Sequence, residues 1–516
     1  MTRHHPRAAF PHTPREDNVV LDYIVIAVYM IVILGVGYWG LRRSKTKSDY
    51  LVAGRRLGTF MYSGALSAIV LGGASTVGGI GLGYTHGLSG AWLVVAIGLG
   101  ILVLSAFFAK RIVKLKVYTV TEMLDLRYGG NSGLISGVVM FLYTLMLTVT
   151  STLAYATIFH VLFGIPNIAG IAIGGTVVIA YSVMGGMWSI TLTDVVQFVI
   201  KTIGILFLLL PISLAHAGGF SGMGERLADS FFSPWSIGGA TIITYIVVYT
   251  LGLLIGQDIW QRVFTARTPK IATRGGLASG IYCLIYGVAG ALIGMATRVL
   301  YPHLESPDAA FATIVQDALP PGVRGLVLAA ALAAMMSTAS GALIASATVL
   351  TSDIFPRLRA IFRPGTQSFS QTGSLVVYRV AILVLGIGTV GIASAVDSVV
   401  AALTIAYNIL VGGLFVSILG GLIWKRGTRL GAWVSILTGT VAVIITMFAT
   451  DILANEPIYF GLGTSLVTYV VVSLLTKPTE PEIMTEWTRR LSASDSEDIN
   501  VSHPETATIR FDPHAH

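Results

Sequence analysis

A polar cluster interrupts an apolar segment at residues 334–340, where the sequence reads AMMSTAS. On a helix, Ser337 and Thr338 follow Ala334 by about one turn. The Ala334 carbonyl and both hydroxyls can therefore converge on one point beside the helix. Hard cations prefer oxygen ligands of this kind, so the pattern favours a sodium site. The alternative is that both hydroxyls bond back to the backbone of their own helix, as Ser and Thr often do in membrane helices.

Residues 67–83 are a second candidate, because six of the twelve residues from 72 to 83 are glycine. Such a segment forms a continuous helix poorly. Unwound backbone inside a membrane occurs where it is buried in protein or lines a wet cavity. Its free carbonyls would bind a cation, and its helix ends would face a charged substrate. The alternative is an unbroken helix with a close-packed glycine face.

Three ionisable residues in apolar segments are further candidates. Asp194 and Lys201 are seven residues apart, so they lie on nearly the same face of a helix. A capping or interfacial role for Asp194, and snorkelling or structural hydrogen bonds for Lys201, are the alternatives. Asp258 ends an apolar segment, and an ion pair with a nearby arginine is its favoured interpretation.

The elements that position these residues are apolar and long. Of the 516 residues, 54% are hydrophobic and 11% are charged, and the mean hydropathy is +0.78. Soluble chains are about 25% charged, so this composition excludes a set of soluble domains. The single cysteine, Cys283, excludes a disulfide framework and a cysteine-based metal site. The net charge of +8 comes from basic residues between apolar segments, which indicates membrane topology rather than a nucleic-acid partner.

The chain is predicted to be an all-α integral membrane protein with about thirteen transmembrane helices. With residues 42–57 placed in the cytoplasm, 26 of the 33 Lys and Arg residues fall on that side and 6 on the other, with Lys201 inside a span. The positive-inside rule then predicts an outside N-terminus and a cytoplasmic C-terminus. The predicted location is the plasma membrane. The predicted spans are 19–41, 58–83, 89–109, 132–160, 165–185, 190–214, 236–257, 275–299, 323–352, 375–394, 398–424, 430–449 and 457–476.

Outside the transmembrane domain, 19–476, the sequence predicts two polar tails. Residues 1–18 form an extracytoplasmic tail, and residues 477–516 form a disordered cytoplasmic tail that is too short for a kinase domain. A P-loop is absent from the sequence, which disfavours ATP-driven transport. Neither a nucleophile elbow nor an HExxH motif occurs, so an enzyme is not predicted.

Five motifs in order along the chain resemble those of the sodium:solute symporter family, which includes proline, pantothenate, monocarboxylate, choline, iodide and sugar carriers. Each motif is weak alone, but their order and their common position on the predicted cytoplasmic side are specific. They are SDYLVAGRRLG at 48–58, YTVTEMLDLRYG at 118–129, GGMWSITLTDVVQ at 185–197, QR at 261–262 and GLIWKR at 421–426.

The resemblance implies a LeuT-type fold, a five-plus-five inverted repeat with peripheral helices. The repeats would cover about 58–214 and 236–424. The family's sodium site maps to backbone carbonyls of Ala68 and Leu71 in the second span and to Ala334, Ser337 and Thr338 in the ninth, which agrees with the polar cluster described above. Asp194 matches an aspartate that some members use for a second cation or for coupling.

The implied function is sodium-coupled import of a small organic solute by alternating access. Sodium is the coupling ion and no other cofactor is expected, while the oligomeric state is not predicted. Sugar is disfavoured, because Ser75 stands where sugar carriers have Gln; a carboxylate, an amino acid or a similar solute is expected. A solute sensor with a separate partner and a proton-coupled carrier are the alternatives. Polarity and span position predict that the substrate contacts Ser75, Thr76, Tyr143, Gln257, Thr404 and Tyr407.

Overall fold

The computed structural model describes residues 16–129, 132–362, 375–395, 399–451 and 454–492, and these residues contain helices and no β-strand. The first half of the chain contains α1 (Glu16–Leu41), α2 (Lys47–Val52), α3 (Thr59–Val70), α4 (Gly79–His86), α5 (Trp92–Val103), α6 (Ala109–Leu115), α7 (Val120–Tyr128), α8 (Ser132–Phe163), α9 (Asn167–Gly185), α10 (Met187–Lys201), α11 (Leu210–His216) and α12 (Gly219–Arg226). The second half contains α13 (Gly239–Tyr245), α14 (Leu251–Leu253), α15 (Gln257–Val263), α16 (Pro269–Leu300), α17 (Ala309–Ala318), α18 (Val323–Val349), α19 (Phe355–Phe362), α20 (Leu375–Ala393), α21 (Val399–Ile423), α22 (Arg429–Ala449), α23 (Glu456–Leu475) and α24 (Pro481–Ser492).

The described residues include eleven helices that are long and apolar enough to cross a membrane, or twelve if one bent pair is counted as a span. That pair, Gly239–Leu253 and Gln257–Val263, is bent by 50°. The predicted count of thirteen is therefore not confirmed. Part of the difference lies in the second and third predicted spans. Helix α3 (Thr59–Val70) is too short to count as a span, and the helical segment Ala74–Leu115, 42 residues long, counts as one span.

The second predicted span is broken, as its glycines suggested. Helix α3 ends at Val70, Leu71 is non-helical at φ −101° and ψ 74°, and helical structure resumes at Gly73. The break lies against α18 and α8, since a Cβ on Gly72 would come within 2.5 Å of the Thr338 hydroxyl and one on Gly73 within 2.3 Å of the Ala154 methyl. Glycine is required here because the neighbouring helices approach the unwound backbone so closely.

Helix α18 lies at the centre of the protein and is buried throughout its apolar length. It packs against α8, α10, α1 and α3. Small residues allow this close approach: residues 329–334 are five alanines and a leucine, all at most 1% exposed. The polar cluster that follows is consequently held among helices on several sides.

The prediction of a disordered tail over 477–516 is wrong for residues 481–492, which form helix α24. Trp487 on this helix is buried, and Arg490 donates to the Leu115 carbonyl oxygen at 3.0 Å. Hydrogen bonds from Arg489 and then Arg490 lower the pKa of Glu486 to about 2. An amphipathic helix of 12 residues is thus docked on α6 and α7. Residues 493–516, and 1–15 of the predicted N-terminal tail, lie outside the described residues.

A fully buried arginine joins α7 to the end of α21. Nε of Arg127 donates to the Gly421 carbonyl oxygen at 3.0 Å, and Nη2 donates to those of Trp424 at 2.9 Å and Lys425 at 3.1 Å. The last carbonyls of a helix lack partners in the helix itself and carry partial negative charge. Arg127 therefore caps α21 and fixes the YTVTEMLDLRYG segment against it.

Replacing Arg127 with Met should lower the free energy of unfolding by about 3 kcal/mol, because several charge-assisted hydrogen bonds are lost in a buried site. Thermal unfolding of the detergent-solubilised protein measures this loss. The matched control is Arg489→Gln, since Arg489 is 68% exposed and pairs with Glu486 on the surface; its effect should be below about 1 kcal/mol. Equal melting temperatures for the two variants would contradict the capping role.

Candidate cation and solute site

The predicted sodium ligands of α18 lie against the broken end of α3. The Ser337 hydroxyl oxygen is 2.9 Å from the Ala68 carbonyl oxygen and 2.9 Å from that of Ala334. The Thr338 hydroxyl donates to the Ile69 carbonyl oxygen at 2.6 Å. Both hydroxyls contact carbonyl oxygens of α3, so they do not bond only to the backbone of α18. The structure thus places oxygen atoms of two helices within one buried cluster.

The carbonyls of Ala68 and Leu71 face a side chain that the sequence analysis had not connected with them. Nζ of Lys201 lies 3.2 Å from the Ser67 carbonyl oxygen, 3.3 Å from that of Ala68 and 3.2 Å from that of Leu71. The ammonium also lies 5.7 Å from the ring centroid of Tyr286. Lys201 is fully buried. Lys201 therefore forms hydrogen bonds inside the protein and does not snorkel to the membrane surface.

Asp194 forms a buried ion pair with Arg262. Nη2 of Arg262 donates to Oδ2 of Asp194 at 2.8 Å, and both side chains are at most 1% exposed. Oδ1 of Asp194 and Nε of Arg262 have no hydrogen-bond partner among the described residues. One oxygen of the Asp194 carboxylate is thus occupied by the Arg262 guanidinium, and the role of Asp194 in binding a second cation or in coupling stays a prediction.

We expect Arg262→Met to lower the free energy of unfolding by about 3 to 5 kcal/mol, because it leaves the Asp194 carboxylate buried without a cation. The double variant Asp194→Asn with Arg262→Met should lose less than the single Arg262 variant, since no charge is then stranded. Melting temperatures of the two single variants, the double variant and the parent form a double-mutant cycle. Losses that simply add would show that the two side chains do not stabilise each other.

A small cavity lies beside the helix break. Its volume is about 30 Å³, room for about one water molecule. A cavity of this volume has no room for an organic solute in this conformation. The lining residues come from the α3 break and from α5, α8, α14, α15, α18 and α21. They are Ile69, Val70, Gly72, Gly73, Ala74, Ser75, Ile97, Leu147, Thr150, Ser151, Leu253, Asp258, Ile259, Thr338, Leu403 and Tyr407.

Asp258 is the charged residue of this cavity. The Tyr143 hydroxyl donates to Oδ1 of Asp258 at 2.9 Å. Tyr407 packs edge-to-face against Tyr143, with ring centroids 5.6 Å apart, and against Tyr249 at 5.4 Å. The predicted arginine partner of Asp258 is wrong, because Arg262 forms its ion pair with Asp194. A carboxylate among tyrosine rings is chemistry suited to a cation.

The structure brings some of the predicted substrate residues together and not others. Ser75 and Tyr407 line the cavity, and Tyr143 contacts its carboxylate. Thr76 bonds to the Tyr286 hydroxyl at 2.8 Å. Gln257 accepts from the backbone N–H of residue 120 and donates to the carbonyl of residue 118, so it anchors the start of α7. Thr404 is half-buried on α21.

Sequence reasoning missed Asp258, Thr150 and Ser151 as cavity residues. The two hydroxyl residues belong to the run TVTST at 148–152 of α8, and that polar run was the signal available for them. Asp258 is the second residue of α15, two positions after Gly256, and the helix bend that turns it inward was not predicted. These three residues add a charge and two hydrogen-bonding groups to the cavity.

The chain is similar to known proteins over most of its length. The sequence model of the sodium:solute symporter family matches residues 50–439. Sodium/proline symporters of Staphylococcus aureus strains JH9 and COL are each 27% identical over 486 residues, which covers 88% of this chain and 93% of theirs.

Solved structures share the fold. A Na⁺-coupled sialic acid symporter in a substrate-bound outward-open state superposes with a TM-score of 0.79 at 22% identity, over 89% of this chain and 99% of that one. A nucleobase-cation-symport-1 family transporter in a closed conformation has a TM-score of 0.52 at 18% identity, over 87% and 99%. The predicted LeuT-type helical fold is confirmed by these likenesses.

Proposed function

Because the chain belongs to the sodium:solute symporter family, we propose that it imports a small organic solute with sodium by alternating access through the plasma membrane. Sodium-coupled symport of a small organic solute follows from the family, and the multi-pass membrane architecture follows from the helices. The finer parts of the proposal are the sodium ligands, the class of solute, and the orientation with an outside N-terminus and a cytoplasmic C-terminus.

The proposed sodium site is formed by the carbonyls of Ala68, Leu71 and Ala334 and the hydroxyls of Ser337 and Thr338. Its support is the cluster of carbonyl and hydroxyl oxygens where the end of α3 meets α18. A sodium ion held by both helices would join them, so sodium would favour whichever conformation brings the two helices together. Sodium can shift the conformations only by as much as its affinity differs between them.

The proposed solute carries a positively charged group, as an amino acid or an amine does. The observation that supports this is the buried Asp258 carboxylate, bonded to Tyr143 and flanked by tyrosine rings in the cavity beside the break. A simple carboxylate would be repelled by Asp258. An amino acid is also consistent with the sodium/proline symporters to which this chain is similar.

A thermal-shift screen in detergent tests the class of solute. Amino acids, amines, carboxylates and sugars are each added in sodium chloride and in potassium chloride. A solute with an ammonium group should raise the melting temperature, and more strongly in sodium. The best ligand is then tested for uptake into proteoliposomes under an imposed sodium gradient or an imposed pH gradient. Stabilisation by carboxylates or sugars alone would contradict the proposed class.

A further inference from the structure

We propose that the Lys201 ammonium is an internal competitor of sodium: it occupies the Ala68 and Leu71 carbonyls, and sodium binds these oxygen atoms only after the ammonium has left them. The inference rests on the sodium site of the proposed function and deepens it. It makes Lys201 a residue that determines sodium affinity, although it is itself no sodium ligand.

The geometry is that of a filled cation site. An ammonium has three N–H donors and no acceptor, and three carbonyl oxygens lie at 3.2 to 3.3 Å from Nζ of Lys201. Ser67 and Ala68 belong to the last turn of α3, whose carbonyls lack helical partners because the helix stops at Val70. The C-terminal end of a helix attracts positive charge. The break thus presents carbonyls to a cation, and α10 supplies that cation.

The groups around Lys201 do not neutralise it. Asp194, two turns earlier on α10, is paired with Arg262, and α16 contributes the Tyr286 ring and the buried thiol of Cys283. In the part of the chain that the structure describes, Lys201 has no ion pair with a carboxylate. The carbonyls are therefore its main electrostatic partners.

Sodium and the ammonium exclude each other at this position. Two unit positive charges that shared the Ala68 carbonyl would repel strongly in a buried, water-poor site. The apparent sodium affinity is consequently reduced by the fraction of molecules in which Lys201 occupies the carbonyls. In the sodium-free protein, the same ammonium satisfies the oxygen atoms that sodium would otherwise bind, so the carrier can change conformation without leaving them unpaired.

The first test is equilibrium binding of radioactive ²²Na⁺ to purified protein. Lys201→Met keeps an unbranched side chain and removes the charge, and its dissociation constant for sodium should fall by about tenfold or more. The control is Thr202→Val on the next residue, which removes a hydroxyl bonded to Tyr282 and leaves the charge in place; it should change the constant less than about twofold. An unchanged or raised constant in the Lys201 variant overturns the proposal.

The second test uses the parent protein, so it tests the competition even if the Lys201→Met variant fails to fold. Cryo-electron microscopy of the parent protein in saturating sodium should show Nζ of Lys201 more than about 4 Å from both the Ala68 and Leu71 carbonyl oxygens. A sodium-free sample should show it in contact with them. Sodium and the ammonium found together on these oxygens would overturn the proposal.

The outcomes separate this inference from the function on which it rests. Sodium-driven uptake that persists while Lys201→Met leaves sodium affinity unchanged would overturn the competition and leave the transport function standing. Uptake by the parent protein that ignores the sodium gradient would overturn the proposed function. In that case, a sodium affinity that is higher in Lys201→Met than in the parent and in Thr202→Val would still support competition between Lys201 and sodium, because binding is measured independently of uptake.

Discussion

Ser337→Ala should raise the sodium concentration needed for half-maximal uptake by about thirtyfold. The hydroxyl lies 2.9 Å from the Ala68 and Ala334 carbonyl oxygens, so it is placed where the two helices meet. A hydrogen-bonding or coordinating group that acts on a charge is worth about 2 kcal/mol, which is about thirtyfold in affinity. The measurement is uptake into proteoliposomes over a range of external sodium concentrations.

Ser346→Ala is the matched control for this experiment. Ser346 is a buried serine on the same helix, and its hydroxyl bonds at 3.0 Å to the Ala342 carbonyl one turn earlier. Its removal should leave the sodium dependence within about twofold of the parent. If Ser337→Ala retains the sodium dependence of the parent while folding normally, Ser337 is not a sodium ligand. Thr338→Val tests the neighbouring hydroxyl in the same way.

Asp258→Asn should reduce uptake of the solute by about a hundredfold or more, because a buried charge–charge contact with an ammonium is worth about 3 kcal/mol or more. The sodium-free protein should melt at least as high as the parent, since the substitution removes a buried carboxylate that has no ion pair among the described residues. Stabilisation by the solute should be lost at the same time. Thermal shift and uptake on the same preparation measure both effects.

Two comparisons make the Asp258 experiment specific. Asp317→Asn removes a carboxylate that is exposed on α17, and it should leave uptake unchanged. Tyr143→Phe keeps the Asp258 carboxylate and removes its hydrogen bond, so its uptake should fall by about tenfold, less than in Asp258→Asn. Full uptake in Asp258→Asn would show that the solute does not depend on this charge.

The sequence predicted the parts of this protein that depend on short-range pattern. The helix break followed from glycine density, because residues without a Cβ lose most by forming a helix. The meeting of Ser337 and Thr338 with the Ala334 carbonyl followed from helical spacing over four residues. The transmembrane class followed from hydropathy. The number of spans was harder to predict, since length and hydropathy do not say where a continuous helix bends.

Long-range partners could not be predicted in the same way. Either Asp194 or Asp258 could have formed an ion pair with Arg262. In the structure Arg262 pairs with Asp194, 68 positions away in the sequence. Asp258 instead turns toward Tyr143, 115 positions away. The choice depends on how α10, α15 and α8 pack, which apolar periodicity does not encode.

The sequence by itself determined that this chain is a helical membrane protein of the sodium:solute symporter family, because composition and the five ordered motifs are local properties of the chain. It also predicted that the Ser337 and Thr338 hydroxyls of α18 lie beside the Ala334 carbonyl, as they do. Only the tertiary structure decided that Lys201 contacts the carbonyls at the end of α3. Lys201 and Ser67, one of these residues, are 134 positions apart in the sequence. A buried ammonium bonds to whichever unpaired carbonyls the packing brings near, and two helices distant in sequence supply them here.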